Sequence, residues 1–197
     1  MSKLIADMTM SLDGFVADPK DGTDELFGWF FSGDVSTPVP SGAFAFQTSE
    51  ASAGHLREAL STVGALITGR RNFDHTQGWG GHHPMGVPTI VVTHSVPDGW
   101  PREDSSMIFV TDGLESAVAK AKEVAGDKVV AVATPDITQQ LINARLLDEI
   151  SVSVVPVLLG EGIPFFANLA GAPVKLSDPK VIEGNRVTHL RHRVTYS

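Results

Sequence analysis

The chain has no cysteine in its 197 residues. That absence excludes disulfide frameworks, thiolate nucleophiles and Cys-based zinc sites together. No apolar run approaches the ~20 residues that a membrane-spanning helix requires. The opening, "MSKLIADMTMSLDG", is apolar only briefly and carries no signal-like stretch followed by a cleavage site. Basic residues are scarce as well: 15 Lys and Arg against 23 Asp and Glu leave a net charge of −8. Nucleic-acid binding needs a clustered basic surface, which this balance argues against. The expectation is a cytoplasmic protein that binds neither nucleic acid nor membrane.

What is present is ordinary for a globular domain: 42% hydrophobic and 19% charged residues, in a length that one core can serve. "KLIADMT" reads as a first strand, stopped by the Asp13-Gly14 turn signal. A loop-rich stretch with Pro38, Pro40 and the cluster "FGWFF" runs to about Gly54, and its aromatics either pack a core or wall a pocket. "EASAGHLREALSTV" reads as a helix with Ser49 as N-cap. "GALITG", "VPTIVVTH" and "SMIFVT" read as strands. "DGLESAVAKAKEVAG" reads as a helix, with Asp112 and Glu115 as a capping box and Gly126 as its stop.

"KVVAVA" follows as a strand, and "TPDITQQLINAR" as a helix with Thr134 as N-cap and Pro135 at its first position. "LLDEISVSVVPVLLG" is a long strand, and the tail a hairpin closed around Glu183-Gly184-Asn185. The alternation predicts a single α/β domain over residues 1–197, with a mixed, mostly parallel central sheet and a C-terminal antiparallel hairpin.

In such sheets ligands bind beyond the carboxyl ends of the strands. Three of those junctions carry chemistry. At Gly69-Arg70-Arg71-Asn72 the glycine admits close approach, the helix start attracts an anion and an arginine fork matches phosphate oxygens. Taken alone, the same pair also reads as a solvated helix start. Thr93-His94-Ser95 is a hydroxyl-imidazole-hydroxyl run. Ala133-Thr134-Pro135-Asp136 is again a strand leading into a helix N-terminus. Four histidines (His75, His82, His83, His94) crowd the stretch in and around "HTQGWGGHHP". They lack the helical spacing, and the accompanying acid or cysteine, that a metal site wants. No metal is expected, and the loop reads as a cover over the site with Trp79 and His83 touching ligand. His189 and His192 read as a solvated hairpin face, and Asp148-Glu149 as the start of a strand.

"MSLDGFVA", "GRRNFD", "PTIVVTH" and above all "LLDEISVSVVPVLLGEGIPFF" resemble the dihydrofolate reductase-like family. Within it they resemble the C-terminal reductase domain of bifunctional riboflavin-biosynthesis enzymes, from about residue 3 to 195. The resemblance implies a three-layer dihydrofolate reductase-like fold. It also implies an NADPH-dependent reductase that passes hydride to a small heterocycle: a pteridine, a pyrimidine, or a riboflavin precursor of the 5-amino-6-(5-phosphoribosylamino)uracil type.

On that resemblance Gly69, Arg70, Arg71 and Asn72 face the cofactor's 2′-phosphate and pyrophosphate. Thr93, His94 and Ser95 lie along its adenosine half, and Ala133, Thr134 and Asp136 also border it. The loop Asp13-Gly14-Phe15-Val16 borders the nicotinamide and substrate, with Asp13 the residue assigned to the chemistry. Where relatives carry a Gly-Gly pair, this chain has Ala133-Thr134-Pro135, which crowds the approach. That departure keeps a second reading open, a non-catalytic small-ligand-binding member of the fold that has lost NADPH. Finally, the "ISVSVVPVLL" run and the hairpin offer more apolar surface than one face of a small sheet needs, which predicts a two-fold homodimer.

Overall fold

The computed structural model describes residues 2–196. β1 (Leu4–Ser11) and β2 (Phe15–Ala17) are joined by a tight turn in which Gly14 takes φ 94°. Then come α1 (Asp24–Phe27), a 3-10 turn at Gly28–Phe31, the hairpin β3 (Val35–Pro38) and β4 (Ala45–Thr48), and α2 (Glu50–Thr62). The middle of the chain forms β5 (Val63–Gly69), α3 (Arg70–His75), β6 (Thr89–Val92), β7 (Met107–Val110) and α4 (Leu114–Ala125). It continues through β8 (Val129–Val132), α5 (Pro135–Asn143) and β9 (Glu149–Val155). The remaining strands are β10 (Ile163–Pro164), β11 (Lys175–Leu176), β12 (Lys180–Gly184) and β13 (Val187–Thr195).

The main sheet runs β11-β13-β9-β1-β8-β5-β6-β7, with β12 also on β13. From β9 to β7 every neighbour is parallel. β13 is antiparallel to β9, β12 and β11. The predicted fold class, mixed sheet and C-terminal hairpin are all present. No helix among the described residues is long and apolar enough to cross a membrane.

Alternation along the central strands serves two different faces. From β1, Leu4, Ala6 and Met8 enter the large core with Ile67, Val132, Ile137 and Leu141, beneath α4 and α5. Each fully buried Leu or Ile there contributes about 1.5–3 kcal/mol. The opposite face is polar at its centre. Trp29 packs with Leu26, Leu56, Val155 and Val187, and its indole Nε1 donates to Thr9 Oγ1 at 3.2 Å. The "FGWFF" cluster thus does both jobs: Trp29 is 3% exposed and Phe31 67%.

Several local expectations shift. α4 takes Gly113 (φ 110°) as its N-cap and has no side-chain cap. With the helix starting one residue late, Asp112 and Glu115 lose capping-box spacing. Gly126 closes that helix at φ 60°, and Ser49 does cap α2, accepting from Ser52 N. In the hairpin Gly184 pairs with Val187, so the turn is Asn185-Arg186, with Arg186 at φ 56°. Asn185 clasps Ser32: its Nδ2 donates to the Ser32 carbonyl at 2.9 Å, and Ser32 Oγ donates to the Asn185 carbonyl at 3.0 Å. β9 lies between β1 and β13 and is buried at all but one residue. Much of the apolar run that suggested a homodimer is therefore buried inside the subunit, whereas Leu158 and Val181 stay exposed.

His189 corrects the solvated reading of the hairpin, because the hairpin packs onto α2. The ring is 2% exposed. Ser52 Oγ lies 2.9 Å from its Nε2 and Ser153 Oγ 2.8 Å from its Nδ1. It stacks on His55 at 4.2 Å, and burial, aided by the charge of His55, lowers its pKa to about 3.

His189 is thus neutral in the fold, whereas the unfolded chain takes up its proton near the ordinary 6.5. Stability from this residue is present above that value and drains away as pH falls from about 6.5 towards 3. Between pH 8 and pH 5 the loss should be about 2 kcal/mol. Urea unfolding at both pH values should show a smaller pH dependence in His189→Gln than in the wild type. Equal dependence would contradict the assignment.

Candidate active site

Because the central strands are parallel, their carboxyl ends share one edge. β1 delivers Asp13 to Val16, β8 delivers Ala133 to Asp136, β5 delivers Gly69 to Asn72 and β6 delivers Thr93 to Ser95, side by side in that order. At about 4.8 Å per strand the four junctions span roughly 15 Å.

The start of α5 carries the unpaired donors. Thr134 sits at the N-cap position (φ −146°, ψ 141°), but its side chain makes no cap bond, contrary to expectation. The Thr138 amide and Oγ1 instead reach the Thr134 carbonyl, at 3.1 and 2.8 Å. Thr134 Oγ1 is left buried and without a partner. The first-turn amides have no carbonyl to bond inside the helix. Gly69 faces this point: a Cβ on it would stand 3.8 Å from Thr134 Oγ1 and 3.7 Å from Ile137 Cγ1. Its φ of −87° suits any residue, so what the glycine leaves is room.

Thr134 is only 7% exposed, and its hydroxyl borders the room that Gly69 leaves. Pro135 still lacks an amide. An orphan hydroxyl, free amides and the positive end of a helix form a donor set that fits a phosphate group.

The two arginines are not idle. Arg70 Nε donates to both Asp74 oxygens, at 2.8 and 2.9 Å, and its Nη1 donates to the Ser95 carbonyl at 3.0 Å. Thr93 Oγ1 donates to that same carbonyl at 2.8 Å. Arg70 is thereby a splint between α3 and the β6 loop, on which His94 is exposed. Arg71, with 71% of its side chain exposed, pairs with Asp21 at 2.9 Å. Asp21 belongs to the loop after β2, so the ion pair reaches from the β1 side of the sheet to α3. Sequence reasoning missed it; the only local signal was the Asp21-Gly22 turn. Asn72 turns back to Thr68 Oγ1 at 2.9 Å, and Asp136 accepts from Gln140 at 2.7 Å.

Asp13 accepts from Ser11 Oγ at 2.6 Å, from the Gly160 amide at 2.7 Å and from the Leu159 amide at 3.1 Å. Those donors, Ser11 first, hold its carboxyl below the usual range. It is ionised at neutral pH and so does not itself donate a proton. It acts as a clasp between the β1–β2 turn and the loop after β9. Gly14 joins the same clasp, its carbonyl accepting from the Phe165 amide at 2.9 Å. Phe15 is half-buried beside it, whereas Val16 packs into the main core. Exposed Leu12 and Leu158 give the clasp an apolar outer side.

Trp79 and His83 lie elsewhere. They meet edge to face at 4.6 Å, and Trp79 packs with Phe73, Val91 and Met107 beside β6 and β7. His83 Nδ1 accepts from the Met85 amide at 3.2 Å, and burial lowers its pKa to about 4. They lie beside β6, three strands away from the clasp. Sequence reasoning also passed over Asp7, an acid in the middle of "LIADMTMS", which lines a cavity under α2. Its signal was available: a charge in an otherwise apolar strand.

The family model of the RibD C-terminal domain matches residues 2–189. The chain belongs to that family. Its similarity reaches the uncharacterized protein YwjB of Bacillus subtilis, 25% identical over 167 residues, covering 85% of this chain and 84% of YwjB. A protein of Shewanella sp. PV-4 provisionally ascribed to riboflavin biosynthesis superposes with TM-score 0.69 at 21% identity, over 98% of this chain and 99% of that one. Dihydrofolate reductase of Enterococcus faecalis, solved with NADP(H), superposes with TM-score 0.56 at 15% identity, over 98% and 97%. At such identities the structural likeness is one of fold.

In this member of the RibD C-terminal domain family the Asp13 clasp yields a direct expectation. Asp13→Ala should speed hydrogen exchange at the Leu159 and Gly160 amides while those of β8 keep their protection. Unchanged protection at both amides would mean that Asp13 does not hold the loop.

Proposed function

We propose that the protein is an NADPH-dependent reductase delivering hydride to a small heterocycle of pteridine, pyrimidine or riboflavin-precursor type. The observation that carries this reading is the orphan Thr134 hydroxyl beside bare Gly69 at the start of α5. A buried polar group left unpaired costs about 1–3 kcal/mol, which a ligand oxygen would recover. The family membership and the NADP(H)-bound relative of the same fold support the reading as analogy.

NADPH, when bound, supplies the hydride; the chain's part is to bind and orient. Thr134 and the first amides of α5 would hold the diphosphate, with Gly69 leaving room. Arg71 would face the 2′-phosphate, exchanging the Asp21 carboxylate for it. Arg70 would act through the Thr93–Ser95 turn that it braces. Gly14 and Phe15 would border the substrate, with Asp13 holding their loop in place and Leu12 and Leu158 excluding water. A homodimer would use exposed apolar residues such as Phe31, Leu176 and Val181.

Pro135 and the neutralised arginines favour the second reading, ligand binding without NADPH. Titration with NADPH and NADH, followed by the fluorescence of the three tryptophans, separates the two. The reductase reading expects saturable NADPH binding that is tighter than NADH binding. Arg71→Ala should lose about tenfold for NADPH, the low end for a hydrogen bond to a charged group because the side chain is exposed, and little for NADH. Thr134→Val should weaken both nucleotides while leaving stability equal or higher. No saturable NADPH binding would leave the second reading in place.

A further inference from the structure

Asp7 stands in the middle of β1 on the face that looks towards α2. It pairs across the sheet with Ser151 of β9, which pairs in turn with Arg191 of β13. α2 brings His55 and Glu58 over it. With Ala131 of β8 these residues line a cavity of about 30 Å³, room for two waters.

The cations near Asp7 are committed elsewhere. Arg191 donates to Glu149 at 2.6 Å and to Glu58 at 3.1 Å, and Lys3 donates to the other Glu149 oxygen at 2.6 Å. Among the described residues no ion pair reaches Asp7. Burial pushes its carboxyl up, and the opposing pull of His55, Ser151 and Arg191 does not offset it. β8 lines the cavity with Val129 and Ala131. Ala6 pairs with Val132, so Asp7 lies level with Ala133, the residue immediately before Thr134. The backbone of Asp7 is therefore one strand, about 4.8 Å, from that of the residue leading into the turn assigned above to the diphosphate.

We propose that Asp7 is the proton donor of the reduction, handing H⁺ to the substrate heteroatom as hydride reaches the adjoining carbon. This rests on the reductase reading above. The step balances: C=N (or C=O), hydride and H⁺ become CH–NH (or CH–OH), NADPH becomes NADP⁺, and the Asp7 carboxylate regains a proton from solvent through the cavity. Donation is direct or passes through one water. The groups facing Asp7 are His55 and Glu58 from α2, Ser151 and Glu149 from β9 and Arg191 from β13. Asp13, ionised and fully hydrogen-bonded, cannot fill this role.

The test follows NADPH oxidation with 5-amino-6-(5-phosphoribosylamino)uracil and with dihydrofolate, in wild type, Asp7→Asn and Asp7→Glu. Asp7→Asn should lower kcat by about 100-fold or more, with NADPH affinity within about twofold by fluorescence. The wild-type rate should fall as rising pH ionises Asp7, and this limb should vanish from the residual rate of Asp7→Asn. Asp7→Glu should recover part of the rate. An infrared difference between wild type and Asp7→Asn at neutral pH should show the band of a protonated carboxyl. Asp7→Asn should melt no lower than wild type, because the acid it replaces is held against desolvation. Wild-type turnover in Asp7→Asn, an absent carboxyl band, or a marked fall in its melting temperature overturns the proposal while leaving the reductase reading intact. Nucleotide binding without oxidation of NADPH by either compound overturns the donor role. Failure to bind NADPH at all overturns the reductase reading itself.

Discussion

Six strands running in one direction are the constraint on which the rest depends. Parallel neighbours cannot be joined by a tight turn, so each connection must cross over a face. The crossovers return every strand to the same starting edge and leave every carboxyl end on the other. Residues as distant in the chain as Asp13, Arg70, Thr93 and Thr134 become neighbours through that rule alone. The short antiparallel additions, β13 with β11 and β12, close the side of the sheet where no crossover is available.

The two faces of the sheet are built on different principles. Beneath α4 and α5 the packing is almost wholly aliphatic, with Leu4, Ala6, Ile67, Val130 and Leu141 at 0% exposure. Towards α2 the same strands carry Asp7, Thr9, Ser151 and Ser153. Buried polar groups demand partners, and here each partner comes from a different element: Trp29 for Thr9, His189 for Ser153, Ser52 for His189. The aliphatic face supplies stability without direction. The polar face supplies a single permitted arrangement of α2, the Trp29 turn and the hairpin.

The sequence made the fold legible because periodicity and junction residues agree along most of the chain. Strands such as "TIVV" and helices such as "LESAVAKAKEVA" announce themselves locally, and the carboxyl-edge junctions follow once the sheet is known to be parallel. The partners of the candidate residues were not legible. Nothing near Arg71 indicates that Asp21, fifty positions earlier, will meet it. The serines that claim His189 lie in α2 and β9. Asp13 reads as part of a loop bordering the nicotinamide and substrate, and the amides of Leu159 and Gly160, brought in by the strand next to β1, are partners that no local pattern announces. Trp79 and His83 looked like a cover because glycines surround them, yet the packing around Phe73 gathers them in.

The Asn185–Ser32 clasp and the pairing of β13 with β9 have a consequence for the order of assembly. β1 forms early in synthesis but lies in the sheet between β8 and β9, and Leu4 waits for Val130 before it has a neighbour. β9, once made, still shows a bare side until Val187 to Thr195 arrive. Contacts so remote in sequence make for slow closure, and an open strand flank is an invitation to another chain. The hairpin is the piece that ends this exposure. Pinned by Asn185 to the turn that carries Trp29, it ties that turn to β9 and β13.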